Sequence, residues 1–307
     1  MKKYLKGVKV KEKTIRLIIE QKINEWVNSI GNINLRKEVK KNCIVTGGAI
    51  ASMLLNEDVN DYDVYFTNRE TAKKVVEYYV SDFEDRTKDK YNIAVVDNFI
   101  DRIKIVIDNG VVALDDEYES LEEDGPSLRD IIDKYRKNEK INNGIKNANN
   151  KTYIPVYISS NAITLSGGIQ LIVRFFGSPE DIHKNYDFIH CTNYWVGSTG
   201  ELVLNPEAVK SLLIKELVYV GSKYPIASLI RTRKFIKRGF TCNAGQFLKM
   251  CWQVNDLNLN DLDVLEDQLM GVDAAYFIVL INELRNWKSK GTEIDYNFVC
   301  KLIDEIF

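Results

Sequence analysis

The sequence predicts an α+β protein: a head with a mixed β-sheet and flanking helices, followed by an all-helical C-terminal lobe. Short apolar segments of strand length fill the first two thirds of the 307 residues, whereas segments with helical periodicity fill the last third. A hydrophobic content of 45% and only five prolines are typical of a globular chain with a sizeable core. We therefore predict a head at 1–204 and a helical lobe at 205–307.

The charge balance and the rare residue types exclude several classes of protein. Lysine plus arginine number 42 against 44 for aspartate plus glutamate, and the resulting charge of −2 does not suit bulk coating of nucleic acid. Five scattered cysteines and two histidines leave little material for disulfides, zinc sites or a Ser-His-Asp triad. No apolar run approaches the roughly 20 residues of a membrane span, and no secretory signal is visible. We expect a cytoplasmic protein without membrane or disulfide partners.

Periodicity places the elements along the chain. In the head, helices are predicted at 12–30, 36–41 and 69–80, and strands at 91–96, 103–107, 153–159, 162–165, 169–176 and 187–196. In the lobe, helices are predicted at 206–220, 226–238, 244–254, 264–288 and 296–307. Residues 115–151 are acidic, then Asn-rich, and predict an insertion, either a solvated surface excursion or a mobile flap. A short capped helix after 178 places His183 on the surface.

A glycine turn lies between a predicted strand and a predicted helix. The apolar run at 43–45 predicts the strand, Gly47 and Gly48 form the turn, and the small and apolar residues that follow predict the helix. Unblocked amides and the positive end of a helix can hold a phosphate there. The turn is therefore a candidate nucleotide-binding element.

Two aspartates follow on the next predicted strand, at 59–66. Alternate residues of a strand point to the same side, so Asp61 and Asp63 project together, and Asp61 comes 13 positions after Gly48. Two neighbouring carboxylates repel unless a cation lies between them, and Mg²⁺ (or Mn²⁺) is the hard, oxygen-seeking ion that suits them. A phosphate-binding turn beside a divalent-metal pair is the equipment for phosphoryl transfer from a nucleoside triphosphate (NTP).

In this segment the chain resembles the DNA polymerase β-like nucleotidyltransferase superfamily, nearest to its tRNA CCA-adding and bacterial poly(A) polymerase branch. That branch carries GGxVRD after its first strand, where this chain has GGAIAS from Gly47 to Ser52. The metal-binding DxD of the branch matches Asp61-Tyr62-Asp63. The resemblance implies a nucleotidyltransferase head in which the two aspartates bind metal and Gly47, Gly48 and Ser52 contact the nucleotide.

Two further features lie downstream. A second block of the branch, RRDFTINA, resembles NYDFIHCT at 185–192 and retains Asp187. The resemblance implies that Asp187 either completes the metal cluster or lies at the nucleotide sugar. Independently of the resemblance, Arg231, Lys234 and Arg238 form one basic stripe on a predicted helix. Such a stripe would neutralise a triphosphate or an acceptor backbone if it lies near the metal, and is otherwise a solvated helix face.

These features predict a metal-dependent enzyme that moves a nucleotidyl group from an NTP to an acceptor hydroxyl. The predicted catalytic and metal-binding residues are Asp61, Asp63 and Asp187, and the predicted nucleotide-binding residues are Gly47, Gly48, Ser52, Arg231 and Lys234. The resemblance favours an RNA 3′ end as the acceptor. Two alternatives stay open: a protein or small-molecule acceptor, and a binding or structural module that keeps the fold without turnover.

Overall fold

A computed structural model of the chain shows two compact units. It describes residues 2–88, 92–96, 103–107, 111–113, 153–159, 161–259 and 261–269, with residues 289, 290, 297, 300, 301 and 304. The first unit contains the described residues up to 113, then 153–183 and 190–213; the second contains 184–189 and the described residues from 214 onward. The predicted insertion at 115–151 lies outside the described residues, as does most of the helix predicted at 264–288. Nothing in the sequence predicts the assignment of 184–189 to the second unit.

A mixed sheet of eight strands is the centre of the first unit. The strands of this unit are β1 (Cys43–Thr46), β2 (Tyr62–Phe66), β3 (Ile93–Val96), β4 (Lys104–Ile107), β5 (Val111–Ala113), β6 (Pro155–Ser159), β7 (Ala162–Leu165), β8 (Ile169–Phe176), β9 (Tyr194–Val196) and β10 (Glu201–Val203). The sheet has the order β10-β9-β1-β2-β8-β7-β6-β5, and β3 pairs with β4 separately. Every neighbouring pair is antiparallel except β2 and β8, which are parallel.

The helices of the first unit are α1 (Lys2–Ser29), α2 (Ile33–Asn42), α3 (Gly48–Leu55), α4 (Arg69–Thr87), α5 (Pro179–His183) and α6 (Pro206–Ile214). Buried residues of α1 to α4 share one core with Val45 and Val64, on one face of the sheet. Along α1, the predicted apolar stripe is buried: Ile19, Ile23 and Trp26 lie in one core with Val64 of β2. The Trp26 indole N–H also donates to the Tyr79 hydroxyl at 2.8 Å, which joins α1 to α4. This buried layer holds β1 and β2 rigidly between their neighbours.

The second unit is built mainly from helices. Its elements are β11 (Glu216–Leu217), α7 (Pro225–Lys237), β12 (Thr241–Cys242), α8 (Ala244–Asn255) and α9 (Leu262–Leu269). The two short strands pair in parallel, and Phe188 forms an isolated bridge with Tyr219. The Phe188 ring meets the rings of Tyr219 and Phe235 edge-on, at centroid distances of 5.8 and 5.5 Å. Aromatic packing therefore fixes the 184–189 segment in this unit.

The α+β class, with a mixed sheet and a helical C-terminal region, is confirmed. The strand predicted at 187–196 is wrong for most of its length, because Ile189–Cys191 forms a 3₁₀ turn and only β9 is extended. The strand predicted at 59–66 begins at Tyr62, so Asp61 lies one residue before it. Among the described residues, no helix is long and apolar enough to cross a bilayer.

Candidate nucleotide- and metal-binding site

The pairing of β1 with β2 brings the glycine turn and the aspartates to the same edge of the sheet. The strands are antiparallel, and Thr46, the last residue of β1, is the partner of Asp63. Gly47 follows Thr46 directly, so the turn leaves the sheet where Asp63 enters it. Asp63 is half-buried and Asp61 is exposed. The juxtaposition predicted from 43–66 is therefore present in the backbone.

The glycine turn has a backbone that favours glycine and a helix end suited to an anion. Gly47 has φ 92° and ψ −144°, a conformation that residues with a side chain rarely adopt. Gly48 begins α3, and a Cβ built on it would meet no atom within 4 Å. No side chain among the described residues caps α3. The first-turn amides from Gly48 onward lack partners within the helix, and amides in this position are the kind that bind an anion.

The Gly47 amide is already used within the protein. It donates to the carbonyl of Cys191 at 3.1 Å. The expectation that both glycine amides are unblocked is therefore wrong for Gly47, whose contribution is conformational. Ser52 lies one turn further along α3 and is buried, with its carbonyl accepting the Glu57 amide at 2.8 Å.

A second glycine turn supports the start of β2. The Tyr62 amide donates to the carbonyl of Gly168 at 2.9 Å, in the turn between β7 and β8. Gly168 has φ 74°, and a Cβ there would meet the Asn60 carbonyl oxygen at 3.1 Å. The segment that carries Asp61 is thus held closely against this turn, whose glycine permits the approach.

The aspartate pair suits an open metal site. The described residues contain no group of three or more His, Cys, Asp or Glu side chains that could enclose a metal ion. Mg²⁺ in nucleotide enzymes is often held by one or two carboxylates, with waters and substrate phosphates completing its octahedron. Asp61 and Asp63, beside the glycine turn, are carboxylates of the kind that such a set contains.

Thr46 connects this edge to two other segments of the first unit. Its buried hydroxyl lies 2.9 Å from the Asn193 carbonyl, 3.3 Å from the Cys191 carbonyl and 2.8 Å from Nε2 of His183. Since the one hydroxyl proton is directed to the carbonyls, we assign the His183 contact as Nε2–H donating to Thr46. Burial lowers the pKa of His183 to about 4, so its ring is neutral at pH 7.

The expectation that His183 lies on the surface is wrong. Its ring is half-buried, and it contacts the Tyr194 ring at a centroid distance of 5.7 Å. Thr46 and His183 are 137 positions apart. No local pattern could have associated them, because their contact depends on the pairing of distant strands.

The structure brings two other predicted residues together in the second unit. Asp187 lies next to a bridge residue and not on a strand, and its Oδ1 accepts the Phe188 amide at 2.9 Å. Its Oδ2 lies 3.1 Å from Nε of Arg231 on α7. From the sequence, Asp187 was assigned to the metal cluster or the nucleotide sugar and Arg231 to the nucleotide, and the two residues were not associated with each other.

Lys234 of the basic stripe is solvated, whereas Arg238 is half-buried and follows the end of α7. Lys234 is exposed, and its neighbour Arg233 pairs with Asp304 at 2.6 Å. Lys234 therefore retains the exposure that a phosphate-binding side chain needs. The exposure of Lys234 agrees with the prediction from the sequence. The pairing of Arg231 with Asp187 was not predicted.

A family model describing a Gabija anti-defense 2 family protein matches residues 17–215, about two thirds of the chain. The chain belongs to the Gabija anti-defense 2 family. The match includes β1, α3, β2 and Asp187, but not the basic stripe on α7. A curated relative, Gabija anti-defense 2 of Bacillus phage SPbetaL7, is 26% identical over 100 residues. That segment is 32% of this chain and 25% of the relative, so the chain is matched to only a quarter of the relative's length.

Some solved structures also resemble this member of the family. The Thermotoga maritima CCA-adding enzyme complexed with tRNA has a TM-score of 0.38 and 10% identity, over 87% of this chain and 53% of that one. The Bacillus stearothermophilus CCA-adding enzyme in complex with CTP has a TM-score of 0.40 and 11% identity, over 85% and 51%. The chain spans about half the length of these enzymes. At such TM-scores the likeness does not decide the function, and the family match names neither the CCA-adding nor the poly(A) branch.

Proposed function

We propose that this chain is a metal-dependent nucleotidyltransferase. The single observation that supports it most is the register of β1 and β2, in which Thr46 pairs with Asp63 and leads directly into Gly47. In the proposed reaction an acceptor hydroxyl oxygen bonds to the α-phosphorus of an NTP. The bond from that phosphorus to the bridging oxygen breaks, pyrophosphate leaves, and the hydroxyl proton passes to solvent.

The glycine turn and the two aspartates have separate roles in the proposed reaction. The first-turn amides of α3, beginning at Gly48, hold the triphosphate, and Gly47 gives the chain the bend that presents them. Asp61 and Asp63 hold Mg²⁺ or Mn²⁺. A divalent ion bound there supplies charge neutralisation at the phosphate oxygens. Ser52, buried within α3, supports the helix from inside rather than by direct contact with the nucleotide.

Asp187 has a different part in this proposal. Its Oδ2 is paired with Arg231, and a carboxylate neutralised by a guanidinium is a weaker ligand for a divalent ion. The pair therefore argues against metal binding by Asp187, and Arg231 is the residue that positions its carboxylate. Lys234, on the same helix as Arg231, is exposed and has the charge that phosphate binding needs.

The family supplies a biological setting for this chemistry. The names of the family and of the phage relative describe action against the Gabija defence, and we propose the same role for this chain. Nucleotidyl transfer would then modify a molecule on which that defence depends. An RNA 3′ end is the first acceptor to test, and a protein of the defence is the second.

The test is a labelling assay with a matched charge control. The full chain is incubated with each α-labelled NTP and Mg²⁺ or Mn²⁺, alone, with total RNA, or with the proteins of the Gabija system. Label is expected in one acceptor, and Asp63→Asn is expected to remove it. Asp58→Asn removes the same charge from an exposed position in the α3–β2 loop and is expected to preserve labelling. Label that persists in Asp61→Asn and Asp63→Asn would contradict the proposal.

A second candidate, nucleotide binding without turnover, is favoured by the small number of carboxylates at the edge. Asp61 and Asp63 are the two carboxylates assigned to the ion, and the described residues contain no group of three or more His, Cys, Asp or Glu side chains that could enclose it. In that case NTP binds in a metal-dependent manner, but no acceptor is labelled. Equilibrium binding measured beside the labelling assay separates the two candidates.

A further inference from the structure

Side chains from three neighbouring strands form a row along the proposed site. Tyr194 of β9 pairs with Thr46 of β1, and Thr46 pairs with Asp63 of β2. Directly paired residues of neighbouring strands lie on the same face of a sheet. Strands are about 4.8 Å apart, so Tyr194 lies about 10 Å from Asp63 along this row. An aromatic residue thus shares a face and an edge with a proposed metal ligand.

Tyr194 does not belong to the core that its neighbour fills. Trp195 is fully buried, in the core with Val45 and Val64 on the opposite face of the sheet. Tyr194 is half-buried and retains accessible surface. The sequence alone does not show which of the two aromatic residues is in the core. Because side chains alternate along β9, Trp195 lies on the core face and Tyr194 on the face of the proposed site.

Contacts on one side fix the Tyr194 ring. The His183 ring meets it at 5.7 Å with an interplanar angle of 60°, and His183 is itself anchored to Thr46. Because His183 is neutral, its imidazole packs as an uncharged aromatic flank. Burial, with Glu180 and Glu201 nearby, raises the pKa of Tyr194, so the phenol is also neutral at pH 7. A pre-oriented, uncharged ring loses little conformational entropy when a flat ligand binds.

We propose that Tyr194 is the stacking surface for the nucleobase of the bound NTP, with His183 as its positioning residue. This inference rests on the proposed function, since the phosphates must lie at α3 for the base to reach β9. Stacking on an aromatic ring is tolerant of base identity because every base has a π-face. Tyr194 therefore contributes affinity for nucleotides as a class, and no preference among the four bases.

The experiment compares a ligand with a base and one without it. Equilibrium dissociation constants for ATP and for inorganic tripolyphosphate are measured in Mg²⁺ on the full chain and on Tyr194→Leu. The variant is expected to bind ATP about tenfold more weakly and tripolyphosphate unchanged. Tyr194→Phe keeps the ring and is expected to restore the lost affinity. His183→Leu is expected to weaken ATP binding by a smaller factor, again without an effect on tripolyphosphate.

The test has a matched control variant and a comparison of the two ligands on the unmodified chain. Tyr78 on α4 is half-buried and meets Tyr79 edge-on at 5.0 Å, so Tyr78→Leu removes a similar ring away from the edge and is expected to leave both constants unchanged. If Tyr194→Leu fails to fold, the test uses the unmodified chain, which is expected to bind ATP more tightly than tripolyphosphate. Equal affinity for the two ligands, or equal weakening of both in Tyr194→Leu, overturns the inference alone. Failure of the unmodified chain to bind either ligand overturns the proposed function instead.

Discussion

In the second unit, Nε of Arg231 lies 3.1 Å from Oδ2 of Asp187, and both atoms are buried. The other carboxylate oxygen of Asp187 accepts the Phe188 amide, and the Asp187 carbonyl accepts the Val220 amide at 2.9 Å. One acidic residue therefore connects 184–189 to α7 and to the segment before it. The pair joins two residues that the sequence proposed for separate functions.

Removal of Arg231 is expected to destabilise the second unit. Arg231→Ala leaves a largely buried carboxylate without its cation, at a cost of about 2–3 kcal/mol in the free energy of unfolding. Arg233→Ala is the matched control, because Arg233 pairs with Asp304, whose side chain is 72% exposed. This variant is expected to lose less than about 1 kcal/mol in the free energy of unfolding. Urea unfolding of the two variants is the measurement. Equal losses of unfolding free energy in the two variants would show that the buried Asp187–Arg231 pair stabilises the protein no more than the exposed Arg233–Asp304 pair.

The two glycines of the turn are expected to respond in opposite ways to alanine. Gly47→Ala forces a side chain into φ 92° and is expected to lower the free energy of unfolding by about 1–2 kcal/mol. Gly48→Ala meets no atom within 4 Å and adds a better helix former, so stability is unchanged or slightly raised. Its methyl group nevertheless stands beside the amides proposed to hold phosphate. Thermal melting measures the stability of both variants, and tripolyphosphate binding measures the phosphate affinity of Gly48→Ala. If Gly48→Ala binds tripolyphosphate as tightly as the unmodified chain does, the turn is not part of the site.

The sequence was sufficient for the part of the site that is local in the chain. Within 43–66, the strand, turn, helix and second strand are close neighbours in sequence, and their pattern places the aspartates near the glycine turn. The antiparallel pairing of β1 with β2 puts Asp63 beside that turn. Thr46 and His183 could not be associated in this way, since a contact over 137 positions depends on the whole sheet. The residues at 187–193 alternate like a strand, but Asp187 and Ile189 bond within the second unit, whereas Cys191 bonds to Gly47 within the first.

A divalent ion is expected to stabilise the chain through Asp61 and Asp63. Mg²⁺ or Mn²⁺ that binds only the folded protein raises the melting temperature, and Asp61→Asn or Asp63→Asn is expected to abolish that rise. The Asp58→Asn variant, with the same change in charge, is expected to retain it. Differential scanning fluorimetry over a metal titration is sufficient. A rise that survives in both Asp61→Asn and Asp63→Asn would place the ion elsewhere.

The buried imidazole of His183 predicts a pH dependence of stability. Its pKa falls from 6.5 to about 4 on folding, so between those values the unfolded chain binds a proton that the folded chain does not. Stability therefore falls as the pH is lowered from about 6.5 toward 4, by about 2 kcal/mol once the partial exposure of the ring is allowed for.

His183→Gln isolates this contribution to the pH dependence. Glutamine does not titrate, and its amide can still donate to Thr46, so the variant is expected to lose about 2 kcal/mol less than the unmodified chain between pH 7 and pH 4.5. The measurement is urea unfolding of both proteins at the two pH values, and the carboxylates common to both cancel in the difference. Thr46→Val removes the acceptor and serves as the second variant: its stability is expected to be lower at every pH. Parallel pH profiles for the unmodified chain and His183→Gln would mean that His183 is not buried as a neutral ring, and the aromatic flank proposed for Tyr194 would lose its support.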